Sequence, residues 1–70
     1  MLFKFPFSCI ALESDLDRGI KAGLIYYGNG RIDRTGIVNY DITSDTGKII
    51  TCSPTWFYNN YRMVRIGKEG

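Results

Sequence analysis

The sequence predicts a small all-β domain of five short strands, and three observations carry that prediction. Apolar and polar residues alternate with a period of two rather than 3.6. Glycine, proline and Asn/Asp turn signals interrupt the chain at short intervals. The chain has only 70 residues, of which 44% are hydrophobic, so it can form one globular domain with a limited core. We expect a single domain over residues 1–66 and a frayed tail over 67–70.

The first strand is predicted over residues 3–11, because every second side chain there is apolar or small. These side chains share one face: Phe3, Phe5, Phe7, Cys9 and Ala11. Pro6 lacks the N–H that a strand pair needs, which predicts an edge position or a bulge at that point. The polar segment that follows, 13–23, predicts a loop with one helical turn at most.

The second strand is predicted over residues 24–27, and the glycine-rich segment GNGRIDRTG follows it. Asn29-Gly30 can adopt the positive φ angles of a tight hairpin turn. Because the segment is longer than a minimal hairpin, we expect a protruding, mobile loop over residues 28–36. A third strand over residues 37–42 then restores the alternation.

A turn over TSDTGK and a β-branched fourth strand over residues 48–52 come next. Ser44 or Asp45 can cap this turn, and Gly47 takes its left-handed position. Pro54 is suited to the first turn of a short 3₁₀ helix. The fifth strand is predicted over residues 61–66, where strict alternation would place Arg62 and Arg65 on opposite faces.

The composition of the chain narrows the possible cellular locations and binding partners. Nine Lys and Arg against seven Asp and Glu give a net charge of +2, too balanced for an arm that binds nucleic acid by charge alone. No apolar run approaches the roughly 18–20 residues that span a bilayer. Lys4 and Pro6 interrupt the first apolar stretch, and no basic region precedes it, unlike a signal peptide. We therefore expect an intact N-terminus and an intracellular protein with no membrane association.

Several kinds of chemistry lack support in the sequence, so we predict no catalytic, cofactor-binding or metal-binding residues and no enzymatic activity. The chain has no histidine, the commonest general base and metal ligand. Cys9 and Cys52 lack the spacing of a zinc site and are predicted to be buried thiols. The acidic run 13–17 does not fit the register of a calcium loop, and GNG lacks the rest of a phosphate-binding motif.

Four stretches of the chain together resemble the short SH3-like barrel proteins of bacteriophages: CIALES, IKAGLIYYG, YDITSDTGKIITCSPTWF and RMVRI. The positions that match that pattern are Lys21, Gly23, Tyr26, Asp45, Gly47, Trp56 and Phe57. The resemblance covers residues 9–66. It implies a five-stranded SH3-like barrel with a 3₁₀ turn before the last strand. The GNGRIDRTG segment and the apolar stretch before Cys9 depart from the pattern.

Aromatic and arginine side chains supply the candidate partner-binding residues, because this composition is typical of binding hot spots. They are Tyr27, Arg31, Arg34, Tyr40, Trp56, Tyr58, Tyr61 and Arg62. Tyr58 and Tyr61 flank Asn59-Asn60, a predicted turn that would expose both. Phe57 is predicted to close the core, whereas Trp56 suits either a core position or a contact surface.

The resemblance implies a function by analogy with small phage proteins that bind and disable host components. We expect a non-enzymatic, phage-encoded module that binds and modulates or inhibits a bacterial host protein in the host cytoplasm. The alternative is a small β-barrel that binds nucleic acid or a nucleotide. A homodimer formed by pairing of exposed strand edges also stays open.

Overall fold

A computed structural model describes residues 3–67 and contains one five-stranded antiparallel sheet. The strands are β1 (Phe3–Ala11), β2 (Ile25–Ile32), β3 (Val38–Thr43), β4 (Ile49–Cys52) and β5 (Tyr61–Ile66). Their order in the sheet is β4-β3-β2-β1-β5. A 3₁₀ turn (Leu16–Arg18) lies between β1 and β2, and the helix α1 (Pro54–Asn60) joins β4 to β5. The predicted all-β, five-stranded fold class is confirmed.

The core lies between the inner face of the curved sheet and α1. Its buried side chains are Phe7, Cys9, Ala11, Ile20, Tyr26, Tyr40, Ile42, Ile50, Cys52, Phe57 and Tyr61. Phe57 of α1 is fully buried, as predicted, and stacks between Tyr40 and Tyr61, with ring centroids 4.2 and 5.4 Å away. Phe57 therefore fills the gap between β4 and β5, the two outermost strands of the sheet.

Pro6 is tolerated within β1 because of where β5 ends. It pairs with Asn29 of β2, and on the other side its carbonyl oxygen accepts a hydrogen bond from the Gly67 N–H at 2.8 Å. Paired β5 residues reach only Phe7, so the missing Pro6 N–H costs no ladder hydrogen bond. The rest of the predicted frayed tail, 68–70, lies outside the described residues.

The prediction of a mobile loop over residues 28–36 is wrong. Residues 28–32 continue β2, and only the short turn around Asp33 and Gly36 separates β2 from β3. Gly28 and Gly30 serve close packing, since a Cβ on Gly28 would overlap the Asp41 carbonyl oxygen and one on Gly30 would overlap the Phe5 ring. Here the glycines mark crowding inside the sheet, where the sequence pattern indicated a bend.

Turn chemistry follows the prediction at the β3–β4 connection. The Ser44 hydroxyl accepts hydrogen bonds from the backbone N–H groups of Thr46 and Lys48 at 3.3 and 3.2 Å. Gly47 has φ +85°, the left-handed conformation that glycine adopts without steric cost. The resulting four-residue reversal brings β4 directly beside β3.

The helix before the last strand differs in type from the expected 3₁₀ turn. Ser53 caps it by accepting a hydrogen bond from the Trp56 N–H, and Pro54 occupies its first turn. The Phe57 N–H donates to the Ser53 carbonyl at 2.9 Å, an α-helical bond, and the helix continues to Asn60. Seven residues without a glycine or an internal proline allow a full α-helical turn. No helix among the described residues is long and apolar enough to cross a bilayer.

Candidate partner-binding site

Cross-strand pairing divides the sheet into an inner face, which covers the core, and an outer face turned away from it. Paired residues lie on the same side of a sheet, and successive residues of a strand alternate. We define the outer face by the residues that pair with one another but not with core positions. They are Lys4, Pro6, Ser8 and Ile10 of β1; Ile25, Tyr27, Asn29 and Arg31 of β2; Asn39, Asp41 and Thr43 of β3; Ile49 and Thr51 of β4; and Arg62 and Arg65 of β5.

A bulge in β5 brings two arginines onto this outer face. Arg65 pairs with Ser8 and Arg62 pairs with Ile10, so three steps along β5 match two steps along β1. The extra residue is accommodated at Val64, where the register shifts. The prediction that Arg62 and Arg65 occupy opposite faces is therefore wrong. Their partner positions are two residues apart along β1, which corresponds to about 7 Å.

The outer face carries a surplus of positive charge. Four cationic side chains, those of Lys4, Arg31, Arg62 and Arg65, lie on it against the single carboxylate of Asp41. This surplus of three positive charges exceeds the net charge of +2 for the whole chain. The other described acidic residues lie in loops and turns outside the five strands. The fold thus concentrates positive charge that the sequence spreads along its length.

One of the four cations is already neutralised within the sheet. Arg31 donates from Nε and Nη2 to the two carboxylate oxygens of Asp41 at 2.6 and 3.2 Å, and the Thr51 hydroxyl donates to the same carboxylate at 2.8 Å. Partial burial raises the pKa of Asp41, but the hydrogen bonds from Arg31 and Thr51 outweigh it, and the net pKa lies below its usual value. Arg31 and Asp41 therefore hold each other in place as a bidentate pair across β2 and β3.

Arg62 and Arg65 differ from Arg31 in this respect. The ion pairs among residues 3–67 are Arg18–Asp15 and Arg31–Asp41, so no carboxylate of that range lies within 4.0 Å of either guanidinium group of β5. Both side chains are exposed. They can therefore form charge-assisted hydrogen bonds with a partner without first breaking an ion pair of the described residues.

Exposed apolar side chains lie on the outer face of the central strand β2 and of the outermost strand β4. Ile25 and Tyr27 of β2 are 51% and 50% exposed, and Ile49 of β4 is 59% exposed. One row of the sheet runs through Ile49, Thr43, Tyr27, Ser8 and Arg65, crossing all five strands. An aromatic ring on a central strand thus lies between an aliphatic group at one edge and an arginine at the other.

A shallow depression of about 210 Å³ lies on the same face. Its lining consists of Pro6, Tyr27, Gly28, Asn29 and Thr43. The Tyr27 ring borders this depression on the outer face. The depression gives the outer face a local relief into which a small side chain of a partner can fit.

The structure separates the remaining candidate residues into different regions. Trp56 and Tyr58 lie on α1, 37% and 55% exposed, and Arg34 lies exposed in the β2–β3 turn. The Arg18 guanidinium covers the Trp56 ring at 5.9 Å from its centroid and contacts Asp15 at 3.4 Å. Arg18 therefore occupies one face of the indole, and the 37% exposure of Trp56 is the surface that remains beside it.

The prediction that Tyr40 and Tyr61 bind a partner is wrong, because both rings belong to the core. They are 5% and 3% exposed, and they flank Phe57 from two sides. The hydroxyl groups of Tyr40 and Tyr58 lie 2.7 Å apart and are hydrogen-bonded. Burial raises the pKa of Tyr40 and of Tyr61 to about 12. Neither ring can contact a partner in the folded domain, because β5 and α1 cover them.

The buried thiols are confirmed, since Cys9 and Cys52 are free and buried. Burial, with a smaller contribution from the neighbouring Cys52, raises the pKa of Cys9 to about 12; burial raises that of Cys52 to about 11. Neutral, buried thiols are poor nucleophiles and poor metal ligands. No group of three or more His, Cys, Asp or Glu within residues 3–67 is arranged to hold a metal ion.

Tyr27, Arg31 and Arg62 are thus the predicted site residues that the fold brings onto one face. The sequence reasoning missed Arg65, Lys4 and the exposed isoleucines of that face. Strand alternation could have placed Ile25 and Ile49 there. Arg65 had no detectable signal, because a bulge depends on how two strands pair.

The chain matches no protein-family model, no curated protein and no solved structure. The resemblance to short bacteriophage proteins therefore stays a prediction, and the geometry of the outer face carries the functional reasoning.

Proposed function

We propose that this protein is a non-catalytic binding module that docks on a partner protein through the outer face of its sheet. The observation that carries the proposal is the exposure of Ile25 and Tyr27 at the centre of a face flanked by Arg62 and Arg65. Tyrosine and arginine are enriched among residues that dominate binding free energy. Large apolar side chains clustered on one face are a feature of interaction sites in small soluble domains.

The resemblance to phage proteins supplies the proposed partner class. We propose a bacterial host protein as the partner, bound in the host cytoplasm, with modulation or inhibition of that protein as the consequence. Trp56 and Tyr58 of α1 define a second surface, but two features make it the weaker candidate. Arg18 covers the Trp56 ring, and the Tyr58 hydroxyl is engaged by Tyr40.

Affinity capture from bacterial lysate with paired variants tests the docking face. The outer-face variant is Ile25→Thr with Tyr27→Thr, which preserves β-propensity while removing apolar area. Its matched control is Leu16→Thr with Ile37→Thr, because those two side chains are also more than half exposed but lie in the 3₁₀ turn and the β2–β3 turn. We expect the wild type and the control to retain a common partner that the outer-face variant loses.

A second capture variant separates the two surfaces. Trp56→Ala with Arg34→Ala should retain the partner, provided that circular dichroism shows the variant folded. Loss of the partner by this variant, together with retention by the outer-face variant, would move the site to the α1 surface. Recovery of no specific partner by the wild type would contradict the proposal as a whole.

Nucleic-acid or nucleotide binding is the second candidate function. The observation that favours it is the coincidence of three surplus positive charges with the exposed Tyr27 ring on one sheet face, since bases stack on such rings. Titration with single-stranded DNA, RNA and cyclic nucleotides tests it. At about 50 mM salt phosphate attraction is still strong, so absence of saturable binding there would exclude this function.

A further inference from the structure

We infer that the outer face recognises an acidic protein segment, one that carries carboxylates beside aliphatic side chains. This inference rests on the proposed docking face and specifies the partner's chemistry.

Within residues 3–67, Arg62 and Arg65 have no internal counter-charge. Asp41 is held by Arg31, whereas Arg62 and Arg65 have no carboxylate of residues 3–67 within ion-pair distance. Exposed Lys4 adds a further positive charge on the same face, close enough to lower the pKa of Asp41. A partner that lowers the free energy of this face must therefore bring negative charge.

The spacing of Arg62 and Arg65 indicates how the negative groups of the partner are arranged. The bulge at Val64 places them opposite Ser8 and Ile10, about 7 Å apart along the strand direction. Each guanidinium group can accept one bidentate carboxylate. Two carboxylates separated by one residue of an extended segment have the same spacing.

The apolar part of the face distinguishes a protein segment from a nucleic acid. Ile10 and Ile25 pair with each other directly beside Arg62, and Tyr27 is the single aromatic ring of the outer face. Aliphatic side chains of a partner lower the free energy of the complex by covering the isoleucines of the face. The isoleucines themselves offer no stacking platform for bases. Phosphate recognition also favours cations spread along a groove, whereas the unpaired arginines are grouped on one strand.

The bulge also favours docking on the face over pairing with the edge. β5 is an outermost strand, but the irregularity at Val64 interrupts its regular pairing and increases its twist. Bulged edges resist the addition of another strand. The partner therefore covers the outer face, where Arg62, Arg65 and the isoleucine pair are presented together.

Peptide titrations followed by two-dimensional NMR test this inference directly. The two carboxylates must follow the direction of β5, whose six residues extend about 20 Å, so an extended peptide of about six residues matches the strand in length. The probe carries Glu-Ser-Glu followed by three leucines. Two matched peptides replace both Glu residues by Gln or by Lys, and a thymidine oligonucleotide serves as a polyanion without carboxylates.

We expect the Glu peptide to shift the signals of outer-face residues saturably, and to bind at least about tenfold more tightly than the Gln peptide. The Lys peptide should not bind. In the protein, Arg62→Glu with Arg65→Glu should weaken the Glu peptide at least about tenfold. Arg34→Glu with Lys48→Glu changes the net charge equally but lies in turns, so its effect should be about threefold or less at about 150 mM salt.

Three results would overturn the inference. Equal affinity for the Glu and Gln peptides would show an apolar docking face with no preference for acidic partners. Equal loss in the two charge-reversal variants would show non-specific attraction. Tighter outer-face binding by the oligonucleotide than by the Glu peptide would favour the nucleic-acid function. The capture experiment with Ile25→Thr and Tyr27→Thr tests the docking face separately, since it removes no charge.

Discussion

The two faces of this sheet are formed by the same five strands but have opposite physical characters. On the inner face, Phe7, Tyr40 and Ile42 are at most 5% exposed and pack around Phe57. On the outer face, Ile25 and Tyr27 are half exposed and stand beside arginines. Burial determines which residue types occur on the inner face, because a 70-residue chain has a small core and tolerates little loss of buried apolar surface. The outer residues contribute less to stability, so their composition can serve recognition.

The largest expected effect comes from truncating the inner face. Phe57→Ala should destabilise the domain by about 3–5 kcal/mol, because it leaves a cavity between Tyr40 and Tyr61. Tyr27→Ala on the outer face should cost about 1 kcal/mol or less, since half of its ring is already in water. Urea unfolding followed by circular dichroism measures both. Similar losses of stability for the two variants would contradict the assignment of the faces.

High pH should weaken the inner face selectively. Unfolded thiols and phenols ionise near pH 9.0 and 10.0, whereas burial raises the pKa of Cys9, Tyr40 and Tyr61 to about 12 and that of Cys52 to about 11. The unfolded state therefore releases protons that the folded state keeps, so stability is complete below about pH 9 and falls as the pH rises toward 12. The melting temperature should drop by several degrees above pH 9.

Thiol titration provides the control for that pH dependence. Below pH 9 both cysteines should react with a disulfide reagent far more slowly in the folded protein than in urea, because the buried thiols are protonated. Rapid reaction of the native protein at pH 8 would show that the thiols are accessible and would contradict the buried, neutral state.

A glycine comparison tests how closely β2 and β3 approach. Gly28→Ala should cost about 1–3 kcal/mol, because the new methyl group would overlap the Asp41 carbonyl oxygen. Gly36→Ala is the matched control: its added Cβ meets nothing within 4 Å, so its cost comes only from the left-handed φ of +87°, about 1–2 kcal/mol. Thermal melts of the two variants measure the difference. A Gly28 variant as stable as wild type would disprove the close approach.

The smallest effect on stability should come from the outer-face arginines. Arg62→Gln with Arg65→Gln should change the free energy of unfolding by about 0.5 kcal/mol or less, since neither arginine has an ion pair within residues 3–67. It can be slightly stabilising, because two like charges lie on neighbouring positions. Chemical denaturation checks this. A loss above about 2 kcal/mol would mean that these arginines hold the sheet together rather than serve a partner.

The sequence by itself determined the number and order of the strands and part of the inner face. Alternation identified β1 and β5 with the bounds that the structure has, and the turn residues Ser44 and Gly47 located the β3–β4 reversal. These features are local, because strand periodicity and turn geometry depend on neighbouring residues. The same reasoning predicted that Phe57 lies in the core and that both cysteines are buried thiols.

Tertiary structure alone decided the candidate site. The glycines of GNG fit a turn by local rules, and only packing against Asp41 and Phe5 shows why they lie inside a strand. Tyr40 and Tyr61 could not be distinguished from exposed tyrosines until α1 covered them. The bulge at Val64 arises from the match between β5 and β1, which are far apart in sequence. That one-residue shift puts Arg62 and Arg65 on a common face, because cross-strand register, and not spacing along a single strand, determines which side chains are neighbours.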